Sequence, residues 1–360
     1  IQMYWNTLFA ALGSEKGIPM GSTKKLLRFY IAYGAQKKRG SSLPEALNVY
    51  AAVYEKYLAQ FPEFRCFGED YFQFINEYMN ALLTEHHSAA VAELGETLIV
   101  RLGDYSFASP DGAQKAKASL YNRMHVAYDR LEPAAVGVPD SPHAKALLLE
   151  ALKISYQINN PDGIIQNEID YGYIFYLFGG PAEQAARHWQ IAYTVWKEHA
   201  ETVPLWGGGV YYHKALSHTV LHQWEEAEQA VQQVFCYHNR TLNNPYFYVK
   251  ALTLHALLLL IAEESFEEVL YAVNEAEDAC SESGFKGIFP VCSYIRALAY
   301  DHLTEDREIA ADYYEKALTQ YIDRCEHSRE EERSLTTLLA LAVSLRKIRE
   351  HVRCAAVDRL

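Results

Sequence analysis

Small residues recur along the chain at Ala46, Ala90, Ala144, Ala185, Ala227, Val269 and Ala310, each opening an apolar stretch of helical periodicity. The last five lie 41, 42, 42 and 41 residues apart. Each is followed seven residues later by a second small or apolar residue: Val53, Thr97, Ala151, Ala192, Val234, Ala276 and Ala317. Seven residues make about two helical turns, so each pair shares a helix face where a neighbouring helix must come close. The pattern predicts an all-α chain, an α-solenoid of about seven antiparallel helix pairs.

Between Ala90 and Ala144 the spacing widens to 54, with the excess in two segments rich in Pro, Gly, Ser and Asp, 104–112 and 132–140. These read as loops and as the place for a hinge. Ser109-Pro110-Asp111 and Ser141-Pro142 read as helix starts, a capping side chain followed by Pro at the first helical position. From Glu330 to Cys354, the apolar residues Leu335, Leu338, Leu339, Ala342, Leu345 and Ile348 share one face, which predicts a capping helix. The expected division is 1–131 for degenerate N-terminal repeats, 132–327 for regular repeats and 328–360 for the cap, with one continuous solenoid as the alternative.

The segment Glu308 to Leu318 makes a more specific comparison. It places a small residue, Ala310, early in a second helix, an aromatic residue, Tyr314, four positions on, and a small residue, Ala317, three beyond. Ala185, Trp189 and Ala192 fill the same frame, and Ala227, Val231 and Val234 fill it less perfectly. Trp224-Glu225-Glu226-Ala227 and Phe266-Glu267-Glu268-Val269 repeat one turn signature, with Ala276 closing the second of those helices. Gly172 with Phe175 and Tyr176, Ala215 with His218, and Ala297 with Tyr300 fit the first helices. This pattern resembles the tetratricopeptide repeat, strongly over 140–327 and weakly over 41–131. The period of about 42 departs from that family's short form and resembles its longer-helix members, such as those of kinesin light chains and large bacterial regulators. The resemblance implies a right-handed α-solenoid, a superhelix whose first helices line a concave groove that receives a protein or peptide.

Composition narrows the class further. Half of the 360 residues are apolar and 22% are charged, which suits a folded interior. The longest candidate apolar run, Ala256 to Ala262, is far short of the roughly 18 residues of a membrane span. Cys66, Cys236, Cys280, Cys292, Cys325 and Cys354 lack paired spacing, which fits reduced thiols and a cytoplasmic location. A net charge of −13 argues against general nucleic-acid affinity, although residues 1–40 hold Lys16, Lys24, Lys25, Arg28, Lys37, Lys38 and Arg39 against only Glu15. A start at Ile1 reads as a piece of a longer polypeptide.

Candidate chemistry is sparse. His218 and His222, four apart and with His213 on the same element, have the spacing of two metal ligands, but Thr219 stands where a zinc peptidase needs Glu. Packing explains His218 more cheaply. Cys236 and His238 are two apart and point away from each other on a helix. The glycines of Trp206-Gly207-Gly208-Gly209 and of Gly13 to Gly21 lack the Gly-Lys-Ser/Thr ending of a phosphate loop. His86-His87 and the carboxylates Glu263, Glu264, Glu267 and Glu268 read as solvated helix ends. No catalytic residue, cofactor or metal is assigned, and the chain reads as a non-enzyme.

The first helices carry many tyrosines and few cations: Tyr171 and Tyr173; Tyr211, Tyr212 and Lys214; Tyr246, Tyr248 and Lys250; Tyr294 and Arg296. Tyr offers a stiff amphipathic contact, and Lys or Arg fixes a carboxylate. From these, Tyr171, Tyr173, Tyr212, Lys214, Tyr248, Lys250, Tyr294 and Arg296 are the expected partner-binding residues. The expected partner is a protein or peptide with an acidic or C-terminal carboxylate group, with no membrane role and no nucleic acid. The expected role is a sensor or scaffold in a larger signalling, defence or transcription-control protein. The alternative is the regulatory or substrate-recruiting arm of a protease or nucleotide hydrolase.

Overall fold

A computed structural model describes residues 27–32, 43–58, 62–85, 87–131, 142–177, 181–241, 245–283, 288–304 and 306–326. All regular structure among them is helical. The long helices are α1 (Leu43–Val53), α2 (Gly68–Thr84), α3 (Ser88–Val100), α4 (Gly112–Leu131), α5 (Pro142–Gln157), α6 (Pro161–Leu177) and α7 (Ala182–His199). They continue with α8 (Gly207–Val220), α9 (Trp224–Thr241), α10 (Pro245–Ile261), α11 (Phe266–Ser283), α12 (Phe289–Ala299) and α13 (Arg307–Glu326). None of the described helices is long and apolar enough to cross a membrane. The chain divides into two compact units, 1–120 and 121–360, with the boundary inside α4.

The first unit is built on aromatic packing. Tyr50 of α1 meets Phe74 of α2 edge to face at 5.4 Å, and Phe72 stacks on Phe107 at 5.7 Å. Within the 104–112 segment, residues 105–111 form the loop that its composition predicts, and two bonds secure it: Gly68 N–H donates to Ser106 O at 2.9 Å, and Ser109 N–H donates to the Glu69 side chain at Oε1 at 2.8 Å. Helix α4 opens at Gly112, two residues after Pro110, while α5 opens at Pro142 as expected.

The second unit follows the small-residue period. Ala144 and Ala151, Ala185 and Ala192, Ala227 and Val234, Val269 and Ala276, and Ala310 and Ala317 are all buried. From α5 to α13 each helix packs on the next, and α10 also touches both α8 and α12. Helix α7 shows why its sequence folds in this way. Ala185, Ala186, Trp189, Ala192 and Trp196 form one buried stripe, Glu183 lies in the first turn, and Lys197 and His199 lie in the last, complementing the helix dipole. Trp189 is fully buried and donates its indole N–H to Ile169 O at 3.1 Å. Truncating a buried side chain of that size to Ala costs on the order of 3–5 kcal/mol. Gly172 makes the contact possible, because a Cβ there would collide with the indole ring.

The period fails in one place. Ala90 and Thr97 are exposed, and α3 instead buries Ser88, Val91, Ala92, Gly95 and Leu98. Ala and Thr are tolerated on either face of a helix, so small size alone misplaced the register there.

Three helices end with a residue in the left-handed backbone region: Asn159 (φ 48°), His222 (φ 59°) and Glu263 (φ 57°). At each end the following N–H reaches back to a helical carbonyl: Asn160 to Ser155 at 2.9 Å, Gln223 to His218 at 2.9 Å and Glu264 to Leu259 at 3.1 Å. These main-chain bonds satisfy terminal carbonyls and set the reversal into the next helix. The expected loop at 132–140 and the capping helix at 330–354 lie outside the described residues.

Candidate functional site

Helix α10 is apolar almost all round, and Lys250 is its one Lys or Arg. A helix of that composition is held between neighbours, so Lys250 enters a packed environment by necessity. Its ammonium lies 5.6 Å from the Tyr173 ring centroid, 5.2 Å from that of Tyr212 and 4.9 Å from that of Tyr246. Helices α6, α8 and α10 each contribute one wall. Lys250 Nζ also donates to Tyr173 Oη at 3.4 Å. The ring faces attract the cation, and that attraction strengthens as water is excluded.

The hydrogen bonds around this lysine have one consistent direction. Lysine has only donors, so Tyr173 Oη accepts from Lys250 and gives its own proton to His213 Nε2 at 3.0 Å. The other ring nitrogen, His213 Nδ1, then donates to Gly209 O at 2.6 Å. Burial, and after it the nearby Lys250 charge, pushes the His213 pKa down to about 3, against the bond to Gly209. The imidazole is therefore neutral, as an acceptor at Nε2 must be. Burial opposes the Lys250 charge, but Tyr173, Tyr246 and Tyr212 outweigh it and hold the ammonium well above the ordinary lysine range. Burial raises the Tyr173 and Tyr212 phenols, so they remain protonated.

No carboxylate among the described residues pairs with Lys250. A half-buried ammonium walled by neutral rings is rare unless an anion completes it. Tyr246, 37% exposed, forms the wall nearest solvent.

Of the eight expected partner-binding residues, the structure brings Tyr173, Tyr212 and Lys250 together. The others stand apart in pairings of their own. Tyr171 packs edge to face on Phe175 at 5.4 Å and on His188 at 4.7 Å. Lys214 sits 4.4 Å above the Tyr193 ring. Tyr248 donates to Glu275 Oε1 at 3.3 Å, and Tyr294 meets Tyr314 at 5.4 Å. Arg296 is 9% exposed and donates through Nη2 to Glu277 Oε2 at 2.7 Å and to Asn274 Oδ1 at 2.9 Å.

The histidines weighed as metal ligands have other neighbours. His218 Nδ1 meets Gln223 Oε1 at 2.7 Å, and His222 forms the left-handed helix end described above. No group of three or more His, Cys, Asp or Glu among the described residues is placed to hold a metal. Gly207 and Gly209 open α8, where Cβ atoms would press on Tyr237 and Phe247. The role of His213 in orienting Tyr173 was missed from sequence. Its spacing to Gly209, four residues earlier on the same helix, is the signal that was present.

No protein-family model matches the chain, and no curated protein matches it. Among solved structures, the chain is similar to a Rap protein crystallised in complex with competence and sporulation factor. That alignment is 12% identical, covers 91% of this chain and 99% of the other, and has a TM-score of 0.45.

Proposed function

We propose that this chain is a peptide-recognition module of tetratricopeptide type and that Lys250, inside its tyrosine walls, captures a carboxylate of the ligand. The observation that carries the reading is a protonated, half-buried ammonium with three aromatic walls and no carboxylate partner among the described residues. An arriving carboxylate supplies the charge that the pocket lacks, in surroundings where ion pairing is stronger than in water. Tyr173, Tyr212 and Tyr246 add contact area at little entropic cost. The period of about 42 supports placing the chain with the long-helix members of that repeat class. We assign it no catalysis. Its output is conformational or scaffolding, within a cytoplasmic sensor or signalling protein.

The test compares two libraries of short peptides on the purified chain, one with free carboxylates and one with every carboxylate amidated. The expected result is retention of the first library alone, lost in Lys250→Gln. Equal retention of both, or unchanged retention by Lys250→Gln, refutes the reading.

A further inference from the structure

A second polar cluster lies on the same helix as Tyr173. Its hydrogen bonds form a chain in which each donor is fixed by the one before. Ser155 gives its hydroxyl proton to Ala151 O at 2.8 Å, so its oxygen accepts from Asn167 Nδ2 at 3.1 Å. That sets the Asn167 amide, whose Oδ1 then accepts from Asn122 Nδ2 at 2.8 Å. The same Asn122 nitrogen donates to Asp170 Oδ2 at 2.8 Å, which uses both of its protons. Asn122 is 4% exposed, and its Oδ1 is buried without a partner.

Buried acceptors in folded proteins are nearly always satisfied, so an orphan at the end of an ordered chain of donors indicates a missing donor. Asp170 stands beside it as a partly exposed carboxylate. The neighbouring His125 and Arg123 do not offset its burial, which raises the carboxyl above its ordinary range. His125 is occupied with Ala144 O at 3.2 Å. The orphan oxygen and the Asp170 carboxylate belong to hydrogen-bonded neighbours, so they lie within about 5 Å of each other. One ammonium or guanidinium, carrying several donors, can serve both.

Asp170 and Tyr173 are three apart on α6 and therefore share a face. We propose that Asp170 and Asn122 form a cationic subsite and that the ligand is dipolar, with an ammonium or guanidinium at Asp170 and a carboxylate at Lys250. This rests on the reading of Lys250 as the carboxylate anchor. One helical turn plus the length of the Tyr173 side chain separates the two poles by roughly 10 Å, the span of about three extended residues. Asp170 is the point of entry, and Asn122 Oδ1 becomes available as the incoming donors part it from the groups that screen it.

The experiment uses tetrapeptides with a free carboxylate in three forms: free amine without Lys or Arg, N-acetylated without Lys or Arg, and N-acetylated with one Lys or Arg. The acetylated neutral set is expected to bind at least tenfold more weakly than the better of the other two sets. Whichever of those binds shows whether the cation is the N-terminus or a side chain. In Asp170→Asn the difference disappears while dependence on the carboxylate remains. Equal binding of all three sets by the wild-type chain, or a difference that survives Asp170→Asn, overturns the proposal and leaves Lys250 untouched.

Methylguanidinium, a cation without a carboxylate, tests the subsite without relying on Lys250. It is expected to raise the Tm of the wild-type chain and of Lys250→Gln, but not of Asp170→Asn. An equal effect on all three, or on none, overturns the subsite.

Discussion

Lys250 and Arg296 are two cations on first helices of the same repeat stack, and their surroundings differ in kind. Arg296 is tied to Glu277 and Asn274 on the preceding helix and lies 5.3 Å over the Tyr313 ring. Its charge is met inside the fold. Lys250 has three rings around it, hydrogen-bonds to the phenol oxygens of Tyr173 and Tyr246, and has no carboxylate partner among the described residues. The first arrangement joins helices, whereas the second leaves an electrostatic demand for something outside the chain to meet. A cation on equivalent elements therefore serves cohesion in one place and, on the proposed reading, recognition in the other. The difference lies in whether the neighbouring helix offers an anion.

The largest expected effect belongs to the Lys250 side. The folded chain keeps His213 unprotonated down to about pH 3, whereas the unfolded chain protonates it below its ordinary value of 6.5. The unfolded state binds the extra proton between those values, so stability is full above pH 6.5 and falls as the pH drops through that window. The slope contributed by this group reaches ~1.4 kcal/mol per pH unit. Denaturant melts from pH 7 to pH 4 should show it in the wild-type chain and a shallower decline in His213→Gln. Parallel curves would place the proton elsewhere.

Replacing Arg296 by Met removes the partner of Glu277 and is expected to lower stability by ~1–3 kcal/mol. Calorimetry checks it, and an unchanged Tm would make that pairing as dispensable as a surface ion pair. The smallest effect belongs to Lys250→Met, which keeps a side chain of similar length, gives up only the attraction between the ammonium and its rings, and is expected to change stability by less than ~1 kcal/mol. A fall of the size seen for Arg296→Met would erase the distinction and make both cations structural.

Much of the fold was legible in the sequence because close helix crossings demand small residues at a fixed period, and the second unit obeys that demand at all five of its pairs. Helix α3 did not yield to the same logic, since Val91 and Leu98 rather than Ala90 and Thr97 face the interior. The candidate site was legible only in outline. Tyr, Lys and Arg on first helices could be read as candidates, but the partner that separates Arg296 from Lys250 lies 19 residues upstream on another helix, beyond any local spacing rule. Asn122 gave no sequence signal. An amide becomes informative only when its neighbours use both of its protons and leave its oxygen bare.

The helix ends at Asn159, His222 and Glu263 share one backbone geometry with three unrelated side chains. What holds them is the main chain, so mutation can drift through these corners with little change in where the next helix begins. The chain thus separates two layers: a ruler of corners and small residues, and a handful of side chains such as Lys250 and Asp170 that the ruler positions. A fold built in this way can exchange the side chains it presents by changing a few letters while the distances between their positions stay the same.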